Sequence, residues 1–166
     1  MKSRVRQAIT ALSFFACILS VTAQPSSGIL NADEIRKLVP SVYFFRGQSA
    51  SVQIRNTSGF RSGDRLVLAG LVDTSGYSSE VQAKYLGLLI TEVKLTVGGT
   101  DLPPGQYGFG FKDGKFLVMD VGDHDLFNVP AQVDDKLAHP VPLKMVTDAD
   151  GYRLYVGRKW VHLNAP

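Results

Sequence analysis

The sequence predicts an all-β fold, an antiparallel β-sandwich or barrel of about eight short strands with one short N-terminal helix. Three observations predict it. Apolar residues recur with period two from residue 42 onward, as where Val52 and Ile54 alternate with Gln53 and Arg55. Residues 65–72 form a nearly unbroken apolar run, which suits a strand covered on both faces. Turn chemistry punctuates the rest, at residues 73–76, at Gly98-Gly99, at Asp113-Gly114 and at residues 148–151.

Residues 25–28 read as a loose stretch following the first two dozen residues. Asn31 followed three residues on by Glu34 is a capping-box start, and Ile35, Leu38 and Val39 give a short apolar face before Pro40 stops the segment. This is the expected helix, placed to plug one end of the core. Strands follow at 42–44 and 51–56, then at 65–72. Residues 79–86 fit helix or strand, since Val81 and Tyr85 stand four apart. Residues 88–97 read as one strand with Glu92 and Lys94 on its wet face, and Pro104-Gly105 fits the centre of a type II turn. Strand 106–112 meets strand 115–121 across Asp113-Gly114, a two-residue link that favours a type I′ hairpin because both centre residues must tolerate positive φ. Along 106–112, Tyr107, Phe109 and Phe111 project to one side while Gly108 and Gly110 leave the other bare, so that a neighbouring segment can approach the backbone. A long loop is expected over 122–140, and 142–147 pairs with 152–163 across the turn at 148–151. Val161 and Leu163 break the parity of Tyr152, Leu154 and Val156, and a one-residue bulge near Gly157 would restore it.

The first residues speak to destination. Lys2, Arg4 and Arg6 precede a charge-free apolar run over 8–21, and Val21 and Ala23 put small residues at −3 and −1 of a cleavage point. That order is the pattern of a secretory signal peptide over 1–23, leaving one β-rich domain over 24–166. Ahead of Cys17, Ala16 fits a lipoprotein box but Phe14 and Phe15 do not, so cleavage after Ala23 is expected instead. The whole chain has 18 Lys+Arg against 15 Asp+Glu; the leader holds three of the basic residues, so the remainder is balanced. A neutral domain lacks the basic footprint that nucleic acid or an anionic membrane surface requires. The single cysteine lies in the leader, which removes disulfides and a cysteine nucleophile from the mature chain. No later apolar stretch reaches the length of a membrane span.

Candidate chemistry is sparse. Asp120, Asp123, His124 and Asp125 form the densest acidic cluster, and its oxygens could serve a hard cation through Asp120, Asp123 and Asp125. The plainer expectation is a solvated turn whose carboxylates bond backbone. Residues 148–151 and Asp134-Asp135 read as turn and surface charge. His124, His139 and His162 lie too far apart in sequence for a local zinc pair, and no Gly-x-Ser-x-Gly elbow occurs. Gly105, Gly108 and Gly110 run in the reverse of the dinucleotide order, and no cofactor is implied. On the expected outward face of the last strand, Tyr155, Arg158 and Trp160 could form an aromatic platform with a cationic rim, suited to a sugar ring or a protein partner. Trp160 could equally fold against the 122–140 loop.

Two segments, residues 102–111 (LPPGQYGFGF) and residues 140–145 (PVPLKM) leading into 152–158 (YRLYVGR), resemble exported bacterial proteins of uncharacterised function, including a type found in acidobacteria. The resemblance implies export and a bacterial source; no activity and no catalytic positions come with it. The expected function is thus a non-enzymatic exported β-domain that binds a protein partner or carbohydrate, or serves structurally in the cell envelope. The alternative is a hydrolase or metal-dependent enzyme built on Asp120, Asp123, His124 and Asp125.

Overall fold

A computed structural model describes residues 27–166; the expected signal peptide lies outside the described residues. In chain order the elements begin with β1 (Gly28–Ile29), α1 (Ala32–Leu38), β2 (Val42–Phe45), β3 (Gln48–Ser62) and β4 (Arg65–Val72). Then come α2 (Ser79–Gln82), β5 (Gly87–Thr91), β6 (Leu95–Val97), β7 (Thr100–Leu102), β8 (Gly105–Lys112) and β9 (Lys115–Met119). The chain ends through β10 (Asp125–Pro130), β11 (Gln132–Val133), β12 (Val141–Asp148), β13 (Gly151–Gly157) and β14 (Lys159–Asn164).

These strands form two antiparallel sheets. The larger has the order β1-β3-β4-β5-β8-β9-β10 with β2 added on β3, and the smaller has the order β12-β13-β14-β6-β7 with β11 added on β14. Each is an open path of strands, so the barrel alternative is not found. The described residues hold fourteen strand segments and two helices, against the eight or so strands and single helix expected.

Side-chain parity explains how the sheets meet. Along β4, Val67 and Ala69 enter the core shared with the smaller sheet, where Leu154, Val161 and Leu163 also lie. Leu68 and Val72 enter a second core on the opposite face, with Ile35, Phe45, Val81 and Tyr85. The larger sheet is therefore buried on both faces, which is the physical reason for the unbroken apolar run at 65–72. The α1 cap forms as its sequence dictates. Asn31 Oδ1 accepts from the N–H groups of Asp33 and Glu34, and Glu34 Oε2 accepts from Asn31 N–H at 3.0 Å. Ile35 of this helix is buried in the second core, where it closes that layer.

The Asp113-Gly114 hairpin has φ of 49° and 72° at its two centre residues, the signs of a type I′ turn. The bare strip on β8 is filled: a Cβ at Gly108 would lie 2.4 Å from Phe45, and one at Gly110 would lie 1.7 Å from the Lys84 carbonyl oxygen.

One open alternative is settled and four local expectations are corrected. Residues 79–82 are helical, capped by Ser78. Residues 88–97 are two strands in different sheets, because Thr91 accepts from Val93 N–H and donates to Val93 O, turning the chain out of the larger sheet. Gly105 has no positive φ and opens β8 instead of centring a type II turn; its lack of a side chain admits the Tyr107 hydroxyl, which reaches back to Pro103 O at 2.9 Å. The last strand is a hairpin, not a bulged strand: Val156 pairs with Lys159 around Gly157-Arg158, and Gly157 at φ 67° fits the first centre position of a type II′ turn. Cross-strand pairs share a face, so Leu154 with Val161 and Tyr155 with Trp160 keep the two faces that parity demanded. The expected 122–140 loop also contains β10 and β11, which pass from one sheet to the other.

Candidate functional site

The acidic cluster sits in the turn between β9 and β10. Asp120 Oδ1 accepts from Gly122 N–H at 2.8 Å and His124 N–H at 3.0 Å, and its Oδ2 meets His124 Nδ1 at 3.0 Å. The backbone bond from His124 is the largest cause holding the Asp120 carboxyl below the usual carboxylate range. Its stabilising contribution is therefore present above that range and is lost as pH falls through the lowered value. Asp123 and Asp125 face cations from distant parts of the chain. Arg46 Nη1 donates to Asp123 Oδ2 at 2.6 Å, and Lys84 Nζ lies 3.1 Å from Asp123 Oδ1 and 2.7 Å from Asp125 Oδ1. Burial works against the Lys84 ammonium, but its bonds to Asp125 and Asp123 outweigh that and raise its pKa. The bland expectation of backbone-bonded carboxylates is thus met at Asp120 and corrected at the other two, which clasp the β2–β3 hairpin and the α2 segment to this turn. Among the described residues no hydroxyl is hydrogen-bonded to the His124 ring.

Because cations already neutralise Asp123 and Asp125, calcium or a chelator is expected to leave the melting temperature nearly unchanged. Asp123→Asn is expected to cost about 1–2 kcal/mol in urea denaturation by loss of the charge-assisted bonds. A large calcium-dependent rise in melting temperature, abolished in that variant, would reverse the assignment.

On the smaller sheet, the expected platform is partly covered. Tyr155 is 5% exposed, and its hydroxyl donates to Asp134 Oδ2 at 3.0 Å. Arg158 lies in the hairpin turn and donates to the carbonyls of Asp134, Leu137 and Ala138, fastening that loop over the sheet. Trp160 is half-buried in register with Gln132 of β11, with the Arg153 guanidinium 4.3 Å above its ring centroid. Tyr155 and Arg158 hold the loop, and Trp160 pairs with Tyr155 across the strands. Nearby, Asp148, Asp150 and His162 bring one ligand atom each to within 4.8 Å of the others. Both Asp148 oxygens already accept from Arg153, at 2.6 and 3.0 Å, which lowers the Asp148 pKa. A metal ion there would compete with a guanidinium in place.

A third place was not legible in the sequence. A groove of about 360 Å³ lies between α1, β3 and β12. Its local cause is a break in β3, whose register with β4 shifts between Val52 and Thr57. Thr57 Oγ1 donates to Ile54 O and Asn56 Nδ2 donates to Gln53 Oε1, each at 2.7 Å, closing the excursion and presenting Ile54 and Arg55 to the groove. Met145 N–H donates to Ser58 Oγ at 3.0 Å, which sutures β12 to β3 along the floor. Leu30, Ile35 and Met145 make that floor apolar, and Arg36, Arg55 and Lys144 stand among the lining residues. Arg36 is paired with Asp33 at 2.8 Å, whereas among the described residues no carboxylate lies within 4.0 Å of Arg55 or Lys144. The groove therefore joins an apolar bed to uncompensated positive charge.

No protein family, curated protein or solved structure matches this chain. Among the described residues no helix is long and apolar enough to cross a membrane.

Proposed function

We propose that this chain is an exported β-sandwich domain that binds rather than catalyses, and that it binds in the groove between α1, β3 and β12. Export rests on the basic, apolar and small-residue order of residues 1–23, and the resemblance to exported bacterial proteins agrees with it. The sandwich reading rests on the core shared by two open sheets.

One observation carries the binding reading: an apolar concavity of small-molecule size where two of the three lining cations, Arg55 and Lys144, have no carboxylate partner among the described residues. Small-molecule sites run from about 300 to 1,000 Å³ and combine an apolar lining with a few polar groups. By contrast, the Asp120–Asp125 turn is a set of ion pairs tying three segments together. Tyr155 and Arg158 are engaged in holding the 134–138 loop, and Trp160 lies under the Arg153 guanidinium opposite Gln132. A protein or carbohydrate partner reaching Tyr155 and Arg158 would have to displace the loop.

The neutral dye N-phenyl-1-naphthylamine tests the reading. Its fluorescence is expected to rise saturably on native protein, at one site per chain, and the rise is expected to vanish in Ile54→Glu, which places a charge in the groove. A flat titration, or the same rise in the variant with its fold retained, would refute it.

A further inference from the structure

The chemistry of the groove reaches further than its shape. Resting on the binding reading above, we propose that its ligand is a free single-chain alkyl carboxylate, with the alkyl chain on the floor and the carboxylate between Arg55 and Lys144.

Each part of that ligand answers to something in the groove. Leu30, Ile35 and Met145 are 6%, 5% and 1% exposed, so the floor is the outer edge of the packed core, which an alkyl chain can continue. Ile29, 40% exposed at the edge, gains cover when the chain is in place. The lining includes three cations and no carboxylate, and the Asp33 carboxylate beside it is held by Arg36. Arg55 offers the fork that binds a carboxylate through two parallel hydrogen bonds, and Lys144 offers a second, rotatable charge from β12. Arg36 already carries the Asp33 carboxylate, which leaves Arg55 and Lys144 as the pair for the ligand.

Size and charge select among anionic amphiphiles. A groove of about 360 Å³ is near the lower bound for small-molecule sites, which suits one chain of medium length and not the two chains of a bilayer lipid. Beyond the leader the chain has balanced charge, so no general attraction to an anionic membrane competes with the local one. A free monomeric acid is the occupant that satisfies both.

Isothermal titration on the purified exported protein, with every amphiphile kept below micelle formation, tests this. Dodecanoate is expected to bind one per chain, with acetate and dodecyltrimethylammonium weaker by roughly tenfold or more. The double variant Arg55→Gln with Lys144→Gln is expected to lose about tenfold in dodecanoate affinity, while the neutral dye still binds it as it binds the wild type. Retained dye binding shows that the groove is intact and that the loss belongs to charge. Dodecanol or dodecyltrimethylammonium binding as tightly as dodecanoate, or an unchanged double variant, would overturn the carboxylate inference and leave the groove reading standing. Binding to phosphatidylglycerol vesicles with none to dodecanoate would overturn the free-ligand form. Failure of every amphiphile and of the dye would overturn both.

Discussion

Gly110→Ala is expected to destabilise the protein by about 3 kcal/mol or more, enough to leave much of it unfolded or insoluble. The alanine Cβ would lie 1.7 Å from the Lys84 carbonyl oxygen and 2.7 Å from its carbon, separations that no side-chain rotation relieves because both partners are backbone. Leu86 N–H donates to Phe109 O at 2.8 Å, so the segment after α2 is bonded to the very strand that would push it away. Moving Lys84 would also loosen its contacts to Asp123 and Asp125. Gly76→Ala is the matched control: its φ is not positive and its new Cβ would meet only Gln48 Nε2, at 4.0 Å, so less than about 0.5 kcal/mol is expected. Equal urea midpoints for the two variants would mean that the Lys84–Tyr85 backbone does not lie on β8.

The second large effect concerns the contact between the sheets. Phe60 on β3 is fully buried, and its ring stacks on Tyr152 of β13 at a centroid distance of 3.7 Å and an interplanar angle of 11°. Phe60→Ala removes a ring from the middle of the shared core and leaves a cavity that two sheets cannot easily collapse. A loss of about 3–5 kcal/mol is expected in chemical denaturation, with Phe60→Leu retaining most of the stability. A loss below about 1 kcal/mol in the alanine variant would contradict face-to-face packing of the sheets through this residue.

The features legible in the sequence were those in which neighbouring residues settle the matter. Asp113-Gly114 is a turn because its own backbone must adopt positive φ, and the Asn31–Glu34 cap closes on itself within four residues. The bare side of β8 was readable because Gly108 and Gly110 alternate with aromatic residues, although nothing local named Phe45 and Lys84 as the groups that fill it. Other features depended on distant partners. The apolar pattern runs on through residues 88–97 while the chain changes sheet, because the change is made by Thr91 bonding Val93 and not by any shift in hydropathy. Strand β10 carries Asp125, Asn128 and a closing Pro130, a composition that reads as loop until β9 supplies its ladder. Lys84 meets Asp123 and Asp125 across about forty residues of chain, a span over which residue spacing carries no signal.

The candidate site divides the same way. Tyr155 and Trp160 are paired across the strands as parity required, but the loop that Tyr155 and Arg158 hold comes from residues 134–138, whose path the sequence did not disclose. The groove was wholly illegible. Its floor joins Leu30 and Ile35 to Met145, and Arg55 and Lys144, without a carboxylate partner among the described residues, come from β3 and β12, so neither apolar period nor charge pattern marks it along the chain.

An amide chemical-shift map of the isotopically labelled protein titrated with dodecanoate tests the central claim most directly. The account predicts saturable shifts concentrated at Leu30, Ile35, Ile54, Arg55, Ser58 and Met145, with the turn at Asp120–Asp125 unmoved. Shifts centred on Tyr155 and Trp160, or no saturable shifts at all, would contradict it.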